Sequence, residues 1–154
     1  MLNRVDEKWM AIAIEEARLA ALAGEVPVGA VIVRGDELLA QTHNLCETRG
    51  LATAHAEMLA IEEASRRVGG WRLSDATLYV TLEPCPMCTG ALINARIGRI
   101  VYAAKDARAG ACGSLVNLPA YPLEARPICE GGVLAEESQQ LLRSFFAQKR
   151  RTHG

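Results

Sequence analysis

The chain has 154 residues, 50% of them apolar and 23% charged, with a formal net charge of −1. That size suits one domain that buries a core without covalent staples, and the balance excludes a polycation, a disordered tail or a fibrous protein. No apolar run approaches the ~20 residues that span a bilayer, and the start MLNRVDEKWM lacks a secretory apolar stretch. Five cysteines, an odd number in a chain without an export signal, argue against a disulfide framework; a cytoplasmic protein with no membrane partner is expected.

Taken in chain order, residues ~5–23 place Trp9, Ala13, Ile14 and Ala17 at helical period and stop at Gly24. VPVGAVIVRGDELLAQTHN reads as a hairpin, two β-rich runs around Arg34-Gly35-Asp36. TAHAEMLAIEEASRRVGG reads as a helix capped by Thr53, with Glu62 and Glu63 in its middle and Gly69-Gly70 ending it. ATLYVTL is a short buried strand, PMCTGALINAR a helix opened by Pro86, and IGRIVYAA another strand. The small residues and prolines of KDARAGACGSLVNLPAYPLEAR predict a long loop, followed by a weak strand near Ile128. VLAEESQQLLRSFFAQKRR is a last helix with Leu134, Leu141, Leu142 and Phe145 as its apolar stripe. With no repeat or linker, residues 1–154 read as one domain, an α/β fold whose small mixed sheet carries helices on both faces. Ligand sites in such sheets gather where strands end and helices begin.

Charge is unevenly spread. After Glu137 the chain holds Arg143, Lys149, Arg150 and Arg151 and no acid; between Pro84 and Leu123 it holds Arg96, Arg99, Lys105 and Arg108 against Asp106 alone. These blocks allow an anionic partner on one face, and equally a solvated helix end with surface arginines.

TLEPCPMCTGALINARIG sets Cys85 and Cys88 three apart. Such a pair can be a redox dithiol, half of a structural zinc site, half of a catalytic one, or two core residues. His55, in AHAE at the start of its own helix, offers a third ligand, and three protein ligands leave one tetrahedral position of zinc open. The other candidates, His43, Cys46, Cys112 and Cys129, form no second C-x-x-C or H-x-x-x-H pair that would close the site. On one turn at a helix start both thiolates face the same way, and the partial positive charge there stabilises them. Glu57 has a plain use as a first-turn glutamate favoured by the helix dipole, and a second as proton carrier beside the metal. The joint pattern, H-x-E with P-C-x-x-C about thirty residues on, favours a catalytic metal.

HAE at His55–Glu57 with PCPMC at Pro84–Cys88 resembles the zinc nucleoside and nucleobase deaminases. EVPVGAV, TAHAE, ATLYVTLEPCPMC, GALINARIGRIVYAAKDARAGACGSL and a tail with SFF then KRR resemble one branch over nearly the whole chain, the bacterial tRNA adenosine deaminases. The resemblance implies a three-layer α/β/α sandwich with about five strands, cytidine deaminase-like. It implies one Zn2+ per subunit on His55, Cys85 and Cys88, with Glu57 as the catalytic proton shuttle. Adenosine at the wobble position of the tRNA anticodon would become inosine through attack of a zinc-activated water at C6. By the same resemblance Asn44, Val28, Leu82, Pro84 and Asp106 contact substrate, Phe145 and Phe146 with the basic tail meet the anticodon stem-loop, and the protein is a homodimer. Without it, Asn44 reads as a turn residue, Val28, Leu82 and Pro84 as core, and Asp106 as a loop aspartate offsetting its basic neighbours. Because Phe145 and Phe146 are adjacent, they point roughly 100° apart on a helix, so one of them, Phe146, is expected to be partly exposed.

The chain departs from the family at two points. Leu51-Ala52 stands where Asp-Pro often precedes TAHAE, and Ala109 stands where many members carry threonine. Both lie in loops expected to meet RNA. Free-base guanine deaminases and cytosine-type deaminases share the metal set, and a redox or structural-zinc C-x-x-C module is the non-enzymatic alternative.

Overall fold

The computed structural model describes residues 3–153. The first helix, α1 (Arg4–Leu22), starts where the Asn3 side chain accepts hydrogen bonds from the backbone N–H groups of Val5 and Asp6. Its buried stripe of Trp9, Met10, Ala13, Ile14, Ala17 and Ala20 follows the helical period. Strands β1 (Gly29–Arg34) and β2 (Glu37–His43) form the expected hairpin, and a single turn, α2 (Cys46–Arg49), precedes α3 (Ala56–Val68). Then come β3 (Thr77–Leu82), α4 (Pro86–Asn94), β4 (Arg99–Ala104), β5 (Ile128–Gly131) and α5 (Ala135–His153).

The strands form one sheet in the order β2-β1-β3-β4-β5. The β1 strand pairs antiparallel with β2 and β3, and β3, β4 and β5 run parallel, so the sheet is mixed. Alternation along the strands divides the core in two. Ala30, Ile32, Leu78, Val80, Ile100 and Tyr102 face α3 and α4, packing with Ala56, Ala60, Ala64 and Leu92. Val31, Val33, Tyr79, Val101 and Ala103 face the other way, toward Trp9, Met10, Ala13 and Ile14 of α1 and, from the α5 side, Val133, Leu134 and Leu141. The result is the three-layer α/β/α sandwich. Gly29 sets how closely α1 lies on β1, because a Cβ there would come 2.0 Å from the carbonyl oxygen of Ala13.

Two expectations need correction. Thr53 does not cap α3; His55 takes the N-cap position and makes no side-chain cap hydrogen bond, its ring being turned to the two cysteines. The apolar stripe of α5 is only half used: Leu134, which precedes the helix at φ 53°, and Leu141 pack on the core, while Phe145 is only half-buried. The long loop also contains a 3-10 turn at Leu118–Ala120 and a bridge between Cys112 and Asn117.

Candidate metal centre and active site

Strand β3 ends at Leu82 and the chain passes through Glu83 and Pro84 to Cys85, the N-cap of α4, with Pro86 opening the helix and Cys88 in its first turn. His55 is the N-cap of α3. Neither N-cap side chain is spent on its own helix, so both are free to converge off the helix ends. His55 Nδ1 lies 3.4 Å from Cys88 Sγ and 3.7 Å from Cys85 Sγ, and the three donor atoms all fall within 4.8 Å of one another. Tetrahedral zinc with bonds of ~2.3 Å to sulfur and ~2.0 Å to nitrogen needs N···S separations of about 3.5 Å, so the donor set fits. Among the described residues it is the one cluster of three such groups at this spacing.

The protonation pattern suits the same use. A hydrogen bond from Cys88, helped by His55, holds the Cys85 thiol down at about 4, while Cys88 is pushed up because it keeps the proton shared with Cys85. His55 is raised chiefly by its hydrogen bond to Cys85. Glu57, in the first turn of α3, is 4% exposed, and burial pushes its carboxyl up to about 7. A carboxyl poised there can both accept and release a proton near neutral pH.

A cavity of about 290 Å³ opens above these groups, near the lower end of the ~300–1,000 Å³ usual for small-molecule sites. His55, Glu57 and Cys85 lie on its wall with Val28, Asn44, Leu82 and Asp106. Asn44 serves as a turn residue as well, its Oδ1 accepting from Cys46 N–H at 3.2 Å. Asp106 spends its Oδ1 on the N–H groups of Arg108 and Ala109 and so shapes its own loop. Pro84 is not on this wall; it is buried behind it, its carbonyl accepting from Ala111 N–H.

Phe145 and Phe146 lie apart from this cavity. Phe146 is 42% exposed, and the two rings meet edge to face with centroids 5.4 Å apart. Phe145 carries Lys149 over its ring and lines a second, larger hollow of about 740 Å³ with Arg18, Leu22, Gly24 and Leu141. That hollow abuts the end of α1, from which the chain runs through Glu25 to the cavity wall at Val26 and Val28. The basic block at 84–123 is not one patch. Arg99, at the start of β4, is tied to Asp6 and Glu130, and Arg96 to Glu124, leaving Lys105 and Arg108 exposed beside Asp106.

Sequence reading missed two residues that build the cavity. Glu25 and Glu83 are 0% and 2% exposed. Glu25 accepts from Glu47 N–H and from Thr48 N–H and hydroxyl; Glu83 accepts from the N–H groups of Asp106, Cys112 and Ser114 and from the Ser114 hydroxyl. Burial alone would raise both carboxyls, but these hydrogen bonds prevail and hold both below the usual carboxylate value. The only sequence signal was a glutamate at the edge of an apolar run, in GEVPVG and in TLEPC.

The model of the MafB19-like deaminase family matches residues 5–150. The tRNA-specific adenosine deaminase of Bacillus subtilis is 47% identical over 149 residues, covering 95% of this chain and 91% of that one. A solved structure from work on A-to-I editing by tRNA:A34 deaminases at the wobble position superposes with a TM-score of 0.85 at 40% identity, over 88% of this chain and 99% of that one. A guanine deaminase of Bacillus subtilis superposes with a TM-score of 0.64 at 35% identity over 83% of each chain.

Proposed function

This chain belongs to the MafB19-like deaminase family, and we propose on that premise that it converts adenosine to inosine at the wobble position of a tRNA anticodon. The observation that carries the chemistry is the convergence of His55, Cys85 and Cys88 from two helix starts, with buried Glu57 on the same cavity wall. His55 Nδ1 and the two Sγ atoms would hold one zinc ion per subunit. Zinc bound there supplies Lewis-acid activation of water at neutral pH. Glu57 would take the first proton that water gives up and pass it to the adenine ring nitrogen, then take the second, from the hydroxyl now on C6, and pass it to the departing amine, which leaves as ammonia. The walls at Val28 and Leu82 exclude water from the base, and Asn44 offers its amide for orientation.

The exposed Phe146 and the cations Lys149, Arg150 and Arg151 are assigned to the stem-loop: stacking for an unpaired base, charge for phosphates. A single domain, a homodimer and a cytoplasmic setting belong to the same reading; no helix of the described residues is long and apolar enough to cross a membrane. The test is to offer the zinc-loaded protein tRNA, free guanine and cytidine, and to analyse for inosine, xanthine and uridine. Inosine from tRNA is expected. Xanthine as the main product would move the chain to the guanine branch.

A further inference from the structure

The cavity has two lips, residues 44–49 and 106–114. The first carries Asn44 and Cys46, the second Asp106 and Ala109, all of them cavity-lining. Neither lip is a strand of the sheet, so its backbone N–H groups need other acceptors. In each lip one buried glutamate supplies part of them, for Glu47 and Thr48 in the first lip and for Asp106, Cys112 and Ser114 in the second. Glu83 Oε1 accepts from Asp106 N–H at 3.1 Å and from the Ser114 hydroxyl, and its Oε2 from Cys112 N–H at 3.0 Å and Ser114 N–H at 3.1 Å. Glu25 Oε1 accepts from Glu47 N–H at 3.0 Å, and its Oε2 from Thr48 N–H and hydroxyl, each at 2.6 Å.

Buried carboxylates are ordinarily paired with a cation. Among the described residues neither Glu25 nor Glu83 has an ion-pair partner; their charge is held by lip donors alone. A carboxylate presents about four acceptor positions and no donor, which a buried amide cannot reproduce against converging N–H groups. Backbone packing around Glu83 is fitted as closely: a Cβ on Gly110 would come 2.4 Å from its Cδ. Opening a lip would strand a buried charge, so the lips stay fixed while the charge stays in place.

We propose that Glu25 and Glu83 are positioning residues that fix the two lips at the spacing an extruded nucleotide requires, setting affinity for the RNA substrate while the metal centre sets the rate. The assignment rests on the deaminase reading of the site. Each glutamate acts on its own lip, Glu25 on 44–49 and Glu83 on 106–114.

The experiment uses the full zinc-loaded chain carrying Glu25→Gln or Glu83→Gln. Amide hydrogen exchange, zinc content and inosine formation over a tRNA concentration series are measured on each. In Glu83→Gln the amides of Asp106, Cys112 and Ser114 should exchange about tenfold faster or more while those of Glu47 and Thr48 do not change, and Glu25→Gln should show the reverse. The half-saturating tRNA concentration should rise about tenfold in each, with the saturated rate changed less than about threefold and zinc retained. Unchanged lip amides, or a saturated rate that falls as far as affinity does, overturns the proposal. If a glutamine variant does not fold, Ser114→Ala and Thr48→Ala each remove one donor from a carboxylate and should weaken half-saturation about two- to fivefold; no change there also overturns it. A wild-type chain that makes no inosine from tRNA counts against the deaminase reading, and the exchange pattern still decides the lip assignment.

Discussion

Replacing Arg99 with methionine keeps the aliphatic stem and removes the guanidinium that binds Asp6. Arg99 donates to both oxygens of Asp6, at 2.8 and 2.6 Å, and the carboxylate is 3% exposed at the foot of α1, where the Tyr79 hydroxyl is its other side-chain partner at 2.6 Å. Removing one member of a buried pair costs ~3–5 kcal/mol; the Arg99 side chain is 25% exposed, and that screening places the loss near the lower end, about 3 kcal/mol. For a chain of this size that is a fall in Tm of roughly 6–12 °C. The dependence on pH fixes the cause. The Arg99 hydrogen bond outweighs burial and holds Asp6 below its ordinary value of 3.8, so the wild type keeps this stability above 3.8 and loses it as pH falls through the lower folded-state value. In Arg99→Met the buried carboxylate has lost its cation, its pKa rises, and the penalty is full at neutral pH and relieved as acid protonates it. Urea unfolding of both proteins at pH 7 and at pH 4.5 should therefore show a gap that narrows on acidification. A gap under about 1 kcal/mol at pH 7, or one that widens in acid, would mean that Arg99 does not offset the burial of Asp6.

Cys88→Ser should lose most of its zinc by metal analysis, while Cys46→Ser and Cys129→Ser keep it; dependence on Cys46 or Cys129 would mean a closed structural site. Deleting Phe145 to Gly154 should leave zinc content unchanged and sharply weaken tRNA deamination, and each single phenylalanine-to-alanine change should cost ~1–3 kcal/mol if a base stacks there. Added salt should lower activity on tRNA, the truncation flattening the logarithmic slope by about 0.7 to 0.9 per lost phosphate contact. A truncated protein as active as the intact one would make the tail structural.

The sequence revealed most where local chemistry decides the outcome. The short apolar runs ATLYVTL and IGRIVYAA, the proline at the start of α4 and the glycine ending α3 are local signals, and each element stands where it was expected. The cluster of His55, Cys85 and Cys88 was legible because these residue types at this spacing have few other uses. The cap of α3 was misread because Thr53 is the better capping residue by type, whereas the helix starts at Ala56 and His55 holds the N-cap position with its ring beside Cys88. Glu25 and Glu83 were invisible as lip anchors because their donors lie 22 to 31 residues away, beyond any local pattern. The charge count at 84–123 could not choose between an anionic partner and surface arginines, because Arg99 finds Asp6 93 positions upstream, at the other end of the sheet from the cavity.

The proposed role of Glu57 is to move protons at a zinc centre that His55, Cys85 and Cys88 would hold. It is tested most directly on one preparation of Glu57→Ala, by measuring zinc per chain, tRNA binding and the single-turnover rate of inosine formation together. One general acid–base group is worth ~10²–10⁴-fold, and Glu57 acts at more than one step, so the rate should fall by at least that much with about one zinc per chain and tRNA still bound. A near-normal rate in a zinc-loaded Glu57→Ala protein would mean that Glu57 does not carry the protons.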